Sequence, residues 1–462
     1  MKYELILGLE IHLQLNTAIK MFCSCKNEPF GSKPNTHVCP VCLGLPGAMP
    51  VPNKEAIEKA QIMASALGSN LRDEIIFERK NYFYPDLPKA FQLTTPHYPV
   101  AERGEYTMLF SISRHSGEFR HPREGGDLID SRSESGMTHV AWHEIHIEED
   151  TAKSMHKGGK TWIDFNKSGV PLLEMVTEPD FRSISDAVDF AKQIQIVARY
   201  LEVSEADMEK GHMRLEANIS LRKLKIVNKK TPNHSLPNYR VELKNINSFT
   251  FMKNALEAEI KRQSEALDRG EKLIQETRGY NEDKKITFSQ REKEEAHDYR
   301  YFPEPDIPPV RLSINDVRFT SKLPKDYIGE FRKANIKESY IPVLVSDRDK
   351  AQFALEAFGK STNLVSPMTI ASAIVNKKVD ISKTTPEQLI NSLKDIRSSV
   401  VSDDKQLETW VDLAIADNPK ARDDIKKGKM QAVGVLIGSV MKYSKGKADV
   451  KKINDILQKK LT

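Results

Sequence analysis

The sequence has no apolar run approaching eighteen residues, so nothing in it reads as a membrane span. Its first residues, Met1-Lys2-Tyr3-Glu4, enter a strand pattern without the features of a secretory leader, and a cytoplasmic protein is expected. A Walker A signature is missing: Gly359-Lys360-Ser361 has the tail of one, but position 354 is Ala where the earlier glycine belongs. A dinucleotide-fold Gly-x-Gly-x-x-Gly is also missing, so any nucleotide site is of neither type. No Gly-x-Ser-x-Gly and no clear Ser/Lys amidase motif occurs, which leaves acyl transfer through a nucleophile unsupported. No internal repeat is present.

Cysteine is scarce, four in 462 residues, and all four fall between Cys23 and Cys42. A reducing cytoplasm disfavours disulfides. Cys23-Ser24-Cys25 and Cys39-Pro40-Val41-Cys42, with thirteen residues between them and Pro and Gly turns around them, suit a tetrahedral four-thiolate zinc site. Four protein ligands leave no open position, so the expected role is structural. Four unrelated thiols are the plainer alternative, and the clustering argues against it.

The length predicts two to three domains. Of the +5 net charge, residues 420–462 carry +8, twelve Lys/Arg against four Asp, which leaves the body slightly acidic. A basic appendage of this kind suits a polyanion, although a solvated Lys-rich helix has the same composition.

Within residues 4–15 the pattern alternates from Leu9 onward: Leu9, Ile11, Leu13 and Leu15 share one face, and Glu10, His12 and Gln14 the other. Asn53 caps an amphipathic helix closed by Gly68. Residues 79–89, from Arg79 and Lys80 through Tyr82, Phe83 and Tyr84 to Lys89, form an aromatic, basic, Pro-braced loop suited to an anion. Residues 113–138 are rich in Arg, Gly and Ser and read as a flexible insertion.

In Ile145-His146-Ile147-Glu148-Glu149-Asp150 three acids stand in a row. A strand places Glu149 with Ile145 and Ile147, opposite His146, Glu148 and Asp150. An acid on an apolar face has to be paired, protonated or metal-bound. Glu174 lies in another apolar strand pattern, as do the acids and Arg of 214–222 and of 241–249. Helices are expected near 185–201 and 251–269. The prolines of 298–309 close a sheet domain, and from about 322 the pattern is helical. The fold expected is α+β: a mixed, largely antiparallel sheet domain over 1–297, an all-α domain over 298–398 and a small basic all-α tail over 399–462. Carboxylates with an imidazole suit Mg²⁺ or Mn²⁺, and such a site beside Lys80 and Lys89 suits phosphoryl transfer.

Six stretches, in order along the chain, resemble the B subunit of the glutamyl/aspartyl-tRNA amidotransferase, GatB of the GatCAB complex. They are Leu7-Gly8-Leu9-Glu10-Ile11-His12, residues 80–89, His146-Ile147-Glu148-Glu149-Asp150, residues 169–174, residues 217–222 and residues 298–306. The resemblance implies a cradle domain that uses ATP and Mg²⁺ to phosphorylate the side-chain carboxylate of Glu on tRNA-Gln, or Asp on tRNA-Asn. Ammonia from a glutamine amidase A subunit displaces the phosphate, a small C subunit ties the two together, and the helical and tail domains grip the misacylated tRNA. Carried over residue by residue, it implies His12, Glu149 and Glu174 as Mg²⁺ ligands with Glu10 close by. Lys80 and Lys89 then line the ammonia route and phosphorylation site, and Cys23, Cys25, Cys39 and Cys42 match the zinc-bearing members. The segment between Ser398 and Asp404 looks shorter than the family's. The alternative from another class is a zinc-bearing tRNA-binding protein without chemistry of its own.

Overall fold

The computed structural model describes residues 2–109, 139–223, 235–292, 298–312, 322–398, 403–426, 430–444 and 447–461. The insertion expected at 113–138 lies outside them, as do residues 399–402, where the chain is expected to be shortened. The fold is α+β, with a mixed, largely antiparallel sheet and its helices first and helices alone after. Two compact units result, Met1–Gly329 with Val345–Arg348, and Glu330–Leu344 with Asp349–Thr462.

The first unit begins with β1 (Tyr3–Gln14), α1 (Lys54–Ala66), β2 (Ser69–Leu71), β3 (Glu74–Ile75), β4 (Glu78–Asn81), β5 (Phe91–Thr94), β6 (Ala101–Thr107) and β7 (His139–Glu149). A small hairpin follows, β8 (Lys153–Lys157) and β9 (Lys160–Asp164), then β10 (Pro171–Thr177), α2 (Ile184–Tyr200), β11 (Met213–Lys223), β12 (Val241–Ile246) and α3 (Phe249–Asp268). The last strands are β13 (Glu276–Asn281), β14 (Ile286–Glu292), β15 (Phe302–Pro303) and β16 (Val310–Arg311). Among the described residues the main sheet holds twelve strands, in the order β14-β13-β12-β11-β1-β10-β7-β5-β4-β15, with β6 also on β7 and β2 on β6. Of its described pairings, only that of β12 with β13 is parallel.

The period of β1 explains its central place. Leu9, Ile11 and Leu13 are fully buried in a core shared with α1, α2 and α3. The helices start where side chains satisfy their first free N–H groups: Asn53 accepts from Ala56, Ser183 from Asp186 and Ser248 from Phe251. Aromatic rings fill the centre, with Trp142, Phe181 and Tyr106 all packed on Phe190 at 5.2–5.7 Å. The Pro-rich segment, expected to mark the end of the sheet domain, is tied back onto it. β15 pairs with β4 and β16 with β3, while Arg79 donates twice to the buried Glu304, at 2.6 and 2.7 Å. Proline lacks the N–H of a central strand but is tolerated at an edge, which is where β15 lies.

Helices α4 (Pro324–Lys333), α5 (Ile341–Leu344), α6 (Arg348–Gly359), α7 (Pro367–Val375) and α8 (Pro386–Ser398) follow the last strand. In the second unit the final helices have a core of their own. They are α9 (Asp404–Asp417), α10 (Pro419–Lys426), α11 (Val433–Tyr443) and α12 (Val450–Leu461), packed around Leu407, Val411, Leu436, Val440, Ile453 and Leu457. No helix of the described residues is long and apolar enough to cross a membrane.

Trp142 is 1% exposed and its indole donates to Leu67 O at 2.9 Å. Trp142→Ala should destabilise the sheet unit by about 3–5 kcal/mol, through a cavity and a lost donor. Urea unfolding followed by circular dichroism checks this, with Leu457→Ala, in the separate helical core, expected to leave the sheet transition in place. A sheet transition moved equally by both would count against independent cores.

Candidate functional site

The register of the sheet builds the site. His12 on β1 lies opposite Glu174 on β10 and Arg214 on β11, and Glu10 lies opposite Glu216. Glu174 is opposite His146 on β7, and Glu148 is opposite Thr94 on β5. Lys80 on β4 is opposite Gln92 on β5. The strand period turns Glu10, His12, Glu148 and Glu174 to the face away from the helices. There they line a cleft of about 740 Å³ together with Lys80, Arg214 and Lys244.

Around His12 Nε2 the carboxylates of Glu174, Glu10 and Glu148 stand at 3.5, 3.6 and 3.7 Å. These are too long for good hydrogen bonds and fit donors spaced about a shared centre. His146 Nε2 makes a real one, 2.8 Å to Glu174 Oε2. Two sets could each hold a cation, His12 with Glu148 and Glu174, and His12 with Glu10 and Glu216; within each, the ligand atoms lie within 4.8 Å of one another. Among the described residues, His12 Nδ1 is buried without a hydrogen-bond partner.

The electrostatics follow from burying this many carboxylates together. Burial opposes the charged imidazolium of His12, but Glu174, Glu148 and Glu10 outweigh it and push its pKa up to about 9. His146 behaves alike, at about 9: burial opposes its charge, and Glu174 is the main partner that overcomes it. Burial and then Glu174 raise Glu10 to about 8, and the same two causes raise Glu148. Glu174 goes the other way: despite burial, His146 and His12 hold it well below the usual carboxylate range. Lys80 is raised, since against the cost of burial stand Glu148 and its neighbours, and its Nζ lies 5.1 Å from the Tyr299 ring centroid.

Glu149 does not join this cluster, which corrects the ligand set His12, Glu149, Glu174. It lies on the helix side of the sheet, 2% exposed, where it pairs with Lys89 and accepts from Leu93 N–H at 2.9 Å. Glu148 takes the place expected for Glu149, because adjacent residues of a strand face opposite ways. Lys80 and Lys89 are separated as well: Lys80 faces the cleft, and Lys89 meets Glu149 with Phe22 and Phe91 nearby. Asp150 finds a third set of partners, Lys167 at 2.8 Å and Arg214 at 3.2 Å. Sequence reasoning passed over Glu148, His146, Glu216 and Lys244. The alternation that isolated Glu149 also put His146 and Glu148 on one face, and that was the signal available for them.

Cys23, Cys25, Cys39 and Cys42 come together in the loop after β1, their sulfurs within 4.8 Å of one another. A tetrahedral zinc at about 2.3 Å from each sulfur needs S···S separations of roughly 3.8 Å, so the donor set fits.

His12 and His146 have folded pKa values above the unfolded value of about 6.5. Their contribution to stability is therefore complete below pH ~6.5 and lost as pH rises through about 9. Glu10, raised from 4.5 to about 8, acts in the same direction. Metal-free protein should melt at progressively lower temperature from about pH 6.5 to 9, and His12→Gln with His146→Gln should flatten that slope. An equal slope in wild type and double variant would remove the histidines as its source.

A family model described as the GatB/GatE catalytic domain matches residues 5–318, and one described as a GatB domain matches residues 344–461. A protein of Persephonella marina, named as the B subunit of an aspartyl/glutamyl-tRNA(Asn/Gln) amidotransferase, is 36% identical over 100% of both chains. Its namesake in Thermotoga maritima is 37% identical over 100% of this chain and 99% of that one. The Thermus thermophilus protein of the same name is 35% identical over 96% of each. With both models matched in order and the similarity running the full length, the chain belongs to the GatB family of aspartyl/glutamyl-tRNA amidotransferase B subunits.

Proposed function

We propose that the chain activates the side-chain carboxylate of Glu-tRNA(Gln) or Asp-tRNA(Asn) by ATP-dependent phosphorylation, and that ammonia then displaces the phosphate to give the amide. The observation that carries this is the cleft that gathers His12, Glu148 and Glu174 beside Lys80. Hard oxygen donors with one imidazole suit Mg²⁺. His12, Glu148 and Glu174 would hold the ion, with Glu10 alongside, and the ion would neutralise charge on the transferring phosphoryl group. Lys80, kept charged by Glu148, orients and neutralises phosphate oxygens from the rim. Lys89 and Glu149, on the other side of the sheet, belong to the route by which ammonia arrives. That ammonia comes from a glutamine amidase A subunit, with a small C subunit completing the assembly.

The tail supports the tRNA part of this reading. Helix α12 buries Ile453 and Leu457 and keeps Lys459 and Lys460 outward near its end. Lysines on such a surface attract phosphates, and binding would weaken steeply with salt. The four cysteines hold a structural zinc in the same reading.

The test uses the complex with the amidase and C subunits, assayed for glutamine- and ATP-dependent conversion of each misacylated tRNA. Glu148→Gln and Glu174→Gln should each lower the rate by about a hundredfold or more, since a cation supplies several kcal/mol of transition-state stabilisation. Binding of tRNA should change little. Glu149→Gln should leave Mn²⁺ affinity unaltered. Full activity in the Glu148 and Glu174 variants would sink the assignment and leave tRNA binding alone as the function. Metal analysis of the purified chain should find about one zinc, as a closed four-thiolate site requires; four freely titrating thiols and no metal would refute that site.

A further inference from the structure

Lys20 is among the largest fully buried side chains, 0% exposed. It stands between the two halves of the cysteine cluster and holds both. Its backbone N–H donates to Cys25 O at 2.9 Å. Its side chain crosses to the other half, where Nζ donates to His37 O at 2.8 Å and lies 3.7 Å from Cys42 Sγ. Phe165 O accepts at 3.3 Å. An ammonium has three protons, and these three acceptors use them all. The stem is fixed as well. Gly169, in the left-handed region at φ +83°, packs so closely that an added Cβ would lie 3.4 Å from Cys42 Cβ and 3.7 Å from Lys20 Cδ.

What this ammonium lacks is a carboxylate: among the described residues its side-chain partners are two carbonyls and a sulfur. Two carbonyls solvate a buried cation but do not balance its charge, and an unbalanced buried charge is costly. The four sulfurs supply the balance. Four thiolates around a divalent ion carry a net charge of about −2, itself costly to bury. We propose that Lys20 is the counter-charge of the four-cysteine metal site, its ammonium hydrogen-bonded to the Cys42 sulfur so that each buried charge stabilises the other. This rests on the zinc reading above. Partners one shell beyond the ligands orient the ligands and tune metal retention. The plainer role, a staple between loop carbonyls, would affect folding and leave metal retention alone.

The two roles separate in the full-length chain loaded with Zn²⁺. Lys20→Met keeps the length of the stem and removes the charge and the donors. It should release zinc to a chromophoric chelator roughly 10–100-fold faster than wild type. Lys20→Arg, which keeps a donor and the charge, should recover part of that loss. Wild type holding zinc with Lys20→Met releasing it at the same rate would overturn the counter-charge and leave the zinc site standing. Wild type holding no zinc would overturn both. Should Lys20→Met fail to fold, wild-type protein labelled with ¹⁵N-lysine decides: one ammonium signal should be displaced when Co²⁺ replaces Zn²⁺, and no displaced signal would overturn the proposal.

Discussion

Like charges cannot be buried side by side without separate partners, and the end of β7 packs three acids into three consecutive positions. The strand's period of two turns Glu149 away from its neighbours, and the end of β7 at Glu149 lets Asp150 reach partners of its own. Glu148 turns toward His12 and Glu174, Glu149 toward Lys89, and Asp150 toward Lys167 and Arg214. Each carboxylate then meets its own cation or imidazole. The polar face of the sheet, the pairing of Lys89 and the anchoring of Lys167 all depend on this division.

The cluster around His12 is electrostatically crowded. Two imidazoles serve Glu174, which stays ionised, while Glu10 and Glu148 are pushed toward their neutral forms by burial and by Glu174. Protons therefore do in the metal-free chain what a divalent cation would do in the proposed reaction, and the two would compete for the same atoms. Such competition would link cation binding to pH in this site.

The cysteine loop is part of the same construction. Gly44, just past Cys42 and at φ +67°, allows the stem of Lys89 to lie against the loop; a Cβ there would come 2.4 Å from Lys89 Cγ. Gly169 brings Cys42, Lys20 and the Glu149 carboxylate to within van der Waals reach of one point. The loop thus braces the Lys89–Glu149 pair on one side of the sheet, while His12 and Glu174 occupy the other.

Much of this was legible in the residues alone. Alternation from Leu9 onward marks this part of β1 as a strand and sets Glu10 and His12 on one face, because a strand has only two faces. Asn53 and Gly68 mark the ends of α1, since free N–H groups and a left-handed turn restrict which residues fit there. The spacing of the cysteines marks one loop that gathers their four sulfurs. What a strand period cannot say is which of its two faces is the site, and here the neighbours decided: α1, α2 and α3 cover the face that carries Glu149, so the cleft opens on the face of Glu148. The sequence-level choice of Glu149 followed a motif whose adjacent acids differ only in direction. Likewise, the prolines of 298–309 signalled a break, yet only pairing with β4 and β3 and the Arg79–Glu304 contact fixed that segment to the sheet. Register and packing bring together residues more than a hundred positions apart, and no local pattern encodes those distances.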